Sequence, residues 1–313
     1  MMGTEALSIL IYHRVLAGPD PLLPDVPDVA AFDRQMRLLK RFFRVMPLPT
    51  AVRQLRQGTL PSRALCITFD DGYADNAELA LPVLQRHGLH ATFFIATAYL
   101  NGGRMWNDEV IDYVRQAPAG RLDFSMIGCG SLPGFTHAQK RQAIDQVLMQ
   151  LKYLPFARRQ MMAERLAPSR RQPLMMNSGH IHQLLAAGME LGAHTHRHPI
   201  LAAMPDDDAY ADIAEGKAAL EALAGRQVTM FAYPNGKPGA DCDQRHVDMV
   251  RSLGFEAALS TVAGTAGLGS DPWQLPRYTP WERDSARFLL RLLQNRYREN
   301  VRRRVSLPPA LGG

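Results

Sequence analysis

Short runs of apolar, often β-branched residues alternate along this chain with stretches in which apolar residues recur at helical spacing. Such alternation is typical of a parallel sheet or barrel built from βα units. The strands are predicted at 8–12, 64–69, 91–96, 189–193, 228–233 and 256–260. The helices are predicted at 31–43, 50–57, 75–87, 181–187, 206–223 and 244–253. The pattern therefore indicates an α/β fold.

Glycines mark the ends of three of these helices. Gly88, Gly188 and Gly254 each follow a predicted helix directly. Glycine is the residue that most readily takes the left-handed conformation closing a helix. These positions support the division of the chain into βα units.

The alternation breaks between residues 101 and 178. This stretch shows weak strand character and two helical patterns, at 136–151 and 155–166, with Thr136 as a predicted N-cap. We predict a helical insertion that replaces a βα loop. Loops at the carboxyl ends of the strands line the working face of such folds, so the insertion should shape a substrate cleft.

Net charge changes the picture only at the C-terminus. The chain carries +6, and the segment from Arg283 to Arg304 alone holds eight arginines and two acids. The rest is balanced, which argues against a nucleic-acid partner. We predict one catalytic domain over 1–283, then a basic amphipathic helix and a disordered tail over 284–313.

The predicted terminal helix has an apolar stripe beside a basic one. The apolar stripe contains Leu289, Leu290, Leu293, Tyr297 and Val301, and the basic stripe contains Arg287, Arg291, Arg298 and Arg302. One interpretation is a helix docked on the domain with a solvated basic face. The other is peripheral contact with an anionic membrane surface.

The remaining composition bears on location. Three widely separated cysteines form neither a disulfide framework nor a zinc motif. We expect buried thiols in a reducing compartment. No signal peptide and no membrane span are predicted, so the expected location is the cytoplasm, with the inner membrane surface as an alternative.

Candidate chemistry begins where the strand at 64–69 ends. Asp70 and Asp71 follow it directly. Adjacent carboxylates at the end of a buried strand repel each other unless a cation or a proton separates them. A helix N-cap is the alternative, but Asp75 and Asn76 are better placed to cap the next helix.

A histidine pair follows the strand at 189–193. His194 and His198, four residues apart on one helical turn, would point the same way and could share a metal. One carboxylate with two imidazoles leaves coordination positions open, as a catalytic zinc requires. His196 would face elsewhere.

Two further features are candidates for substrate contacts. Tyr233, Pro234 and Asn235 begin a rigid turn after the strand at 228–233, where exposed N–H groups could stabilise an oxyanion. An ordinary strand-to-helix turn is the alternative. Trp106, at the head of the insertion, could stack on a sugar or anchor a local core.

Taken together, these motifs resemble those of the polysaccharide deacetylases, the NodB-homology or carbohydrate esterase family 4 group. Thr68–Phe69–Asp70–Asp71–Gly72–Tyr73 is similar to the first motif, and His194–Thr195–His196–Arg197–His198 is similar to the second. Ala232–Gly236 resembles the third. The opening Leu10–Val15 resembles the branch of exopolysaccharide and poly-N-acetylglucosamine deacetylases. The resemblance covers roughly 7–100 and 175–280, and implies a distorted (β/α) barrel, with circular permutation as an open alternative.

The resemblance implies roles for individual residues. Asp71, His194 and His198 would hold one divalent metal, zinc being expected and other divalent ions fitting too. Asp70 would be the general base. The late Leu-x-His of the family is absent, and His13, in what resembles its permuted counterpart, is assigned as general acid. A core histidine near the barrel rim is the alternative.

The third motif also departs from the family pattern. Ala232 stands where relatives carry the arginine that orients the base. Arg277 or Arg14 could replace that arginine, and we favour Arg277.

The implied function is metal-dependent removal of N-acetyl groups from a sugar or polysaccharide. Two alternatives stay open: an O-acetyl esterase or non-sugar amidase on the same fold, and a non-catalytic carbohydrate-binding relative.

Overall fold

A parallel sheet, nearly closed into a barrel, forms the centre of the molecule. The computed structural model describes residues 6–167, 172–280, 282 and 284–297. Its main sheet contains β1 Ser8–Tyr12, β2 Arg44–Val45, β3 Ala64–Phe69, β4 Thr92–Ile95, β7 Glu190–Ala193, β8 Met230–Ala232, β9 Ala257–Ala263 and β10 Leu275–Arg277. A separate antiparallel hairpin contains β5 Arg121–Asp123 and β6 Ser131–Pro133.

The strand order around the barrel is β1-β3-β4-β7-β8-β9-β10, with β2 also pairing with β3, and every pair is parallel. Past the end of β10, Tyr278 exchanges backbone hydrogen bonds with Ile9 and Ile11 of β1. This contact brings the two ends of the sheet together. The carboxyl ends of all these strands therefore lie at one rim.

Helices surround the sheet. They are α1 Val29–Phe42, α2 Leu48–Gln57, α3 Leu81–His87, α4 Trp106–Gln116, α5 His137–Lys152, α6 Phe156–Arg165, α7 Ser178–Ala186, α8 Asp206–Ala224, α9 Gln244–Ser252 and α10 Ser285–Tyr297. A π-helical turn, Asn76–Ala80, precedes α3. None of the helices in the described part of the chain is both long and apolar enough to cross a membrane.

The predicted α/β fold is confirmed, and each of the six predicted strands is present. The bounds of β1 and β3 agree with the prediction to the residue. The three glycines take positive φ angles of 64° at Gly88, 73° at Gly188 and 79° at Gly254, as left-handed caps do. β2, the hairpin, α4 and β10 were not predicted from the sequence.

The stretch between 101 and 178 packs around a hydrophobic cluster of its own. Trp106, Val110, Phe124 and Val147 are among its buried members. Thr136 caps α5 by accepting a hydrogen bond from the Gln139 N–H, as predicted. Trp106 is only 8% exposed, so its placement agrees with the core-anchor alternative.

Helix α10 docks on the domain through a face that only partly matches the predicted apolar stripe. Phe288 and Leu292 are buried in the main core, whereas Leu290 and Leu293 are 55% and 40% exposed. Leu289 of the predicted stripe packs partly against this core, but Phe288 and Leu292, four residues apart and outside that stripe, make the buried contacts. Residues 298–313, with the predicted tail, lie outside the described residues.

Candidate metal and catalytic site

The candidate residues meet at the carboxyl rim of the barrel. Asp70 and Asp71 follow β3, His194 follows β7, and His13 follows β1. Since these strands are parallel neighbours, their ends are adjacent in space. The rim thus gathers side chains that are up to 185 residues apart in the chain.

Asp71, His194 and His198 form a compact cluster. The Asp71 Oδ1 atom lies 3.4 Å from His194 Nε2 and 3.3 Å from His198 Nε2. One possible ligand atom from each residue lies within 4.8 Å of the other two. Asp71 is 6% exposed and His194 is 1% exposed. The structure therefore brings together the three residues predicted to hold a metal.

Hydrogen bonding at His194 indicates why a cation fits this cluster. Its Nδ1 atom lies 2.7 Å from the Ala232 carbonyl oxygen. A carbonyl can only accept, so the proton sits on Nδ1, and in the neutral ring the Nε2 lone pair faces Asp71. Asp71 Oδ1 is itself a buried acceptor without a hydrogen-bond donor among the described residues. Two facing acceptors are stabilised by a divalent ion between them.

Burial and neighbouring charges oppose each other in this cluster. Burial acts to raise the pKa of Asp71, but its close contacts with His194 and His198 hold that pKa well below its ordinary value. Burial acts to lower the pKa of His194, but the effects that raise it are stronger, and the charge of Asp70 is the largest of them. The pKa of His194 is therefore raised. For His198, burial dominates and its pKa is lowered.

The histidine segment is not the helical turn predicted from its spacing. Thr195 and His198 have φ angles of 64° and 52°, in the left-handed region that non-glycine residues seldom adopt. Thr195 Oγ1 accepts from the His198 N–H at 3.0 Å. The helical-turn prediction is therefore wrong, and a tight loop instead places the two rings 4.8 Å apart.

Helix α8 supports this loop through two residues that the sequence analysis missed. Asp212, fully buried, accepts hydrogen bonds from the His196 and Arg197 N–H groups, each at 3.0 Å. A Cβ atom on Gly216 would lie 2.4 Å from the Thr195 carbonyl carbon. The sequence did contain a signal for this support, because Asp212 and Gly216 are four residues apart and therefore lie on one face of the predicted helix.

Asp70 is held by Arg277 rather than by Arg14. The two terminal nitrogens of Arg277 lie 2.7 Å from the two Asp70 oxygens, and its Nε donates to the Ser260 carbonyl oxygen. Burial acts to raise the pKa of Asp70, but the charge of Arg277, then that of His194, keeps it below its ordinary value. Asp70 is therefore an oriented and ionised carboxylate.

Asp75 and Asn76 do not cap a helix, contrary to prediction. Asp75 makes no capping hydrogen bond and instead accepts from Arg14 Nε at 2.7 Å and from the Val15 N–H at 3.2 Å. The Asn76 side chain donates to the His13 carbonyl oxygen at 2.9 Å. Both residues therefore anchor the loop that carries His13.

His13 is exposed at the rim beside the two aspartates. The Asp70 N–H donates to the carbonyl of Tyr12, the residue before His13, at 2.9 Å. Among the weaker effects on Asp70 and Asp71, the charge of His13 lowers the pKa of both carboxyls. His13 thus lies near the cluster and open to solvent.

The turn after β8 presents its backbone rather than its tyrosine. Tyr233 is fully buried, its hydroxyl donates to the Trp273 carbonyl, and its N–H donates to the Leu259 carbonyl. Pro234 has no N–H. Asn235 is half-buried and has a φ angle of 57°. Gly236 has a positive φ angle, and a Cβ atom at this position would lie 2.9 Å from the Tyr233 carbonyl oxygen. The turn therefore requires a glycine here.

Comparison with known proteins agrees with this architecture. The polysaccharide deacetylase family model matches residues 57–118 and 159–258, together just over half of the chain. A curated relative, the putative polysaccharide deacetylase YxkH of Bacillus subtilis, is 35% identical over 91 residues. That match covers 28% of this chain and 31% of the relative.

Solved structures show the same fold at low sequence identity. IcaB from Ammonifex degensii is 19% identical, with a TM-score of 0.60 over 90% of this chain and 97% of that one. The Streptococcus pyogenes deacetylase PplD, in complex with acetate, is 17% identical, with a TM-score of 0.58 over 91% and 97% of the two chains. A de-N-acetylase from Aggregatibacter actinomycetemcomitans is 14% identical, with a TM-score of 0.55 over 87% and 94%. The family match, the barrel and the clustered motifs lead to one conclusion: this chain is a member of the polysaccharide deacetylase family.

Proposed function

We propose that this protein removes N-acetyl groups from an acetylated sugar or polysaccharide by hydrolysis, with residues 1–283 as the catalytic unit. The observation that carries the proposal is the gathering of Asp71, His194 and His198 beside an Asp70 carboxylate clamped by Arg277. A family fold and a mixed carboxylate–imidazole ligand set together favour metal-dependent hydrolysis.

Asp71, His194 and His198 would hold one divalent ion, with zinc as the first choice for this donor set. When bound, such an ion supplies a Lewis acid that polarises the acetyl carbonyl and makes water more acidic. The Ala232 carbonyl fixes the His194 ring in the tautomer that offers Nε2.

In this proposal Asp70 is the general base. It accepts a proton as the water oxygen attacks the acetyl carbonyl carbon. The Arg277 guanidinium serves two purposes, since it fixes the carboxylate plane and keeps Asp70 ionised near neutral pH. The clamp thus supplies the cation that the third motif lacks at Ala232.

His13 is the proposed general acid. It gives a proton to the leaving nitrogen as the carbon–nitrogen bond breaks, so that acetate and a free amine are released. Its exposure allows it to regain a proton from solvent. The Asn235 N–H is the proposed oxyanion donor, because Leu259 engages the N–H of Tyr233 and Pro234 has none.

Acetate release provides the test. Zinc-loaded protein should release acetate from N-acetylglucosamine oligomers faster than from O-acetylated sugars, and Asp70→Asn should lower kcat by roughly 100-fold or more while zinc still binds. Faster release from the O-acetylated substrates would favour the esterase alternative. Unchanged turnover in Asp70→Asn would reject the proposed base.

We also propose that the outer face of α10 contacts anionic lipid at the cytoplasmic membrane surface. Leu290 and Leu293 are exposed on this helix, and Arg287 and Arg291 lie beside them. Interleaved leucine and arginine side chains suit the boundary between lipid headgroups and acyl chains. The three free cysteines are compatible with a reducing compartment.

A further inference from the structure

The insertion touches the candidate site through a buried arginine. Arg159 of α6 is 1% exposed, and it forms no ion pair with a carboxylate in the described part of the chain. One terminal nitrogen donates to the Lys152 carbonyl at 3.2 Å, and the other donates to the His198 carbonyl at 3.4 Å. A single guanidinium therefore spans the end of α5 and a proposed metal ligand.

A second contact joins the end of α5 to the turn after β8. The Tyr153 hydroxyl donates to Asp241 Oδ1 at 3.3 Å, and Lys152 Nζ lies 3.6 Å from the same oxygen. The other oxygen of this buried carboxylate accepts from the Lys237 N–H at 3.1 Å. Lys237 lies two residues beyond Asn235. The end of α5 is thus fastened to both loops that carry site residues.

Tyr153 lies between these two contacts with its ring open to solvent. The side chain is 55% exposed although its hydroxyl is bound. Lys152 Nζ lies 5.0 Å from the ring centroid. A ring fixed at its polar end loses little further freedom when a ligand covers its face. An exposed aromatic face so arranged suits the apolar C–H side of a pyranose ring.

We propose that Tyr153 is a stacking platform for a sugar unit neighbouring the acetylated one. The inference rests on the proposed deacetylase function and specifies its substrate as an oligomer rather than a single sugar. Trp106, predicted for this role, is buried, whereas Tyr153 is exposed one residue beyond the Lys152 carbonyl that Arg159 ties to His198. Tyr153 also lies in 119–158, which the family model does not match.

Substrate length provides the readout. Acetate release is measured from N-acetylglucosamine and from its tetramer with wild-type protein, Tyr153→Ala and Tyr153→Phe, all zinc-loaded. In Tyr153→Ala the preference for the tetramer should fall roughly three- to tenfold, through a higher KM. Tyr153→Phe keeps the ring and should retain most of the preference.

Phe135→Ala is the matched control. Phe135 is an aromatic residue of similar exposure, 59%, near the opposite end of the 16-residue helix α5, about 25 Å away. Its substitution should leave the preference unchanged. An undiminished tetramer preference in Tyr153→Ala, or an equal loss for both substrates, would overturn the proposal.

Failure of the proposed function is distinguishable from failure of this inference. Wild-type protein that releases acetate from neither substrate would contradict the deacetylase assignment. Calorimetric titration with the tetramer then tests Tyr153 by itself. Weaker tetramer binding by Tyr153→Ala than by Phe135→Ala would support the platform, and equal binding would overturn it.

Discussion

The ion pair between Arg277 and Asp70 allows a test of the site that does not depend on catalysis. Both Arg277 terminal nitrogens lie 2.7 Å from Asp70 oxygens, and the two side chains are 0% and 2% exposed. Arg277→Met keeps much of the volume but leaves a buried carboxylate without its main cation. Removing one partner of a buried pair costs about 3–5 kcal/mol. We therefore expect the free energy of unfolding of Arg277→Met to be lower than that of the wild type by about 3–5 kcal/mol at pH 8.

This loss should shrink as the pH falls. In the wild-type protein, the lowered pKa of Asp70 contributes stability at pH values above the unfolded-state pKa of about 4. This contribution is lost as the pH falls through the lower folded-state pKa. In the variant, burial still acts to raise the pKa of Asp70, and the charge of Arg277 no longer opposes it. As the pH falls, the variant therefore protonates Asp70 more readily than the wild type does, and protonation relieves the buried charge.

Urea unfolding of metal-free protein, followed by circular dichroism at pH 8 and pH 5, measures both effects. Arg226→Met is the control, since Arg226 and Glu190 form an exposed pair at 3.1 Å. The control should lose less than about 1 kcal/mol at either pH. A similarly small loss for Arg277→Met, or a loss that grows towards pH 5, would refute the reasoning.

Two further substitutions test the supports of the site and the terminal helix. Helix propensity alone predicts that Gly216→Ala raises the free energy of unfolding by about 1 kcal/mol. However, the Cβ atom of the new alanine would lie 2.4 Å from the Thr195 carbonyl carbon. We therefore expect a net loss of about 1–3 kcal/mol and weaker zinc binding, with Ala218→Gly on the exposed face as the control for propensity; a stabilised Gly216→Ala would contradict this. Replacing Leu290 and Leu293 of α10 by serine should weaken sedimentation with phosphatidylglycerol vesicles roughly tenfold, and unchanged sedimentation would exclude lipid contact through this face.

Regular elements with strong local patterns could be predicted from the sequence. β1 and β3 are short, fully buried and mostly apolar segments, and their predicted bounds agree with the structure. Thr136 capped α5 as expected because the N-cap and its Gln139 partner are close in sequence. By contrast, the three-residue strand β10 includes a proline and exists only because the barrel supplies a neighbouring strand.

Within the site, residue identities were predictable and local geometry was not. The spacing of His194 and His198 suggested a helical turn, but the loop depends on left-handed residues stabilised by Asp212 from α8. Asp75 had the chemistry of a cap, yet Arg14 and the Val15 N–H, some 60 residues earlier, engage it instead. Such long-range partners leave no local pattern in the sequence.

Zinc titration of the metal-free protein by calorimetry tests the central claim most directly. We predict one zinc ion per wild-type chain, with affinity reduced at least about 100-fold in Asp71→Asn and His198→Gln. His196→Gln should bind as the wild type does, because the His196 ring contacts Thr97 and Glu215 instead of the cluster. Absence of zinc binding, or binding that survives loss of Asp71 and His198, would contradict the account.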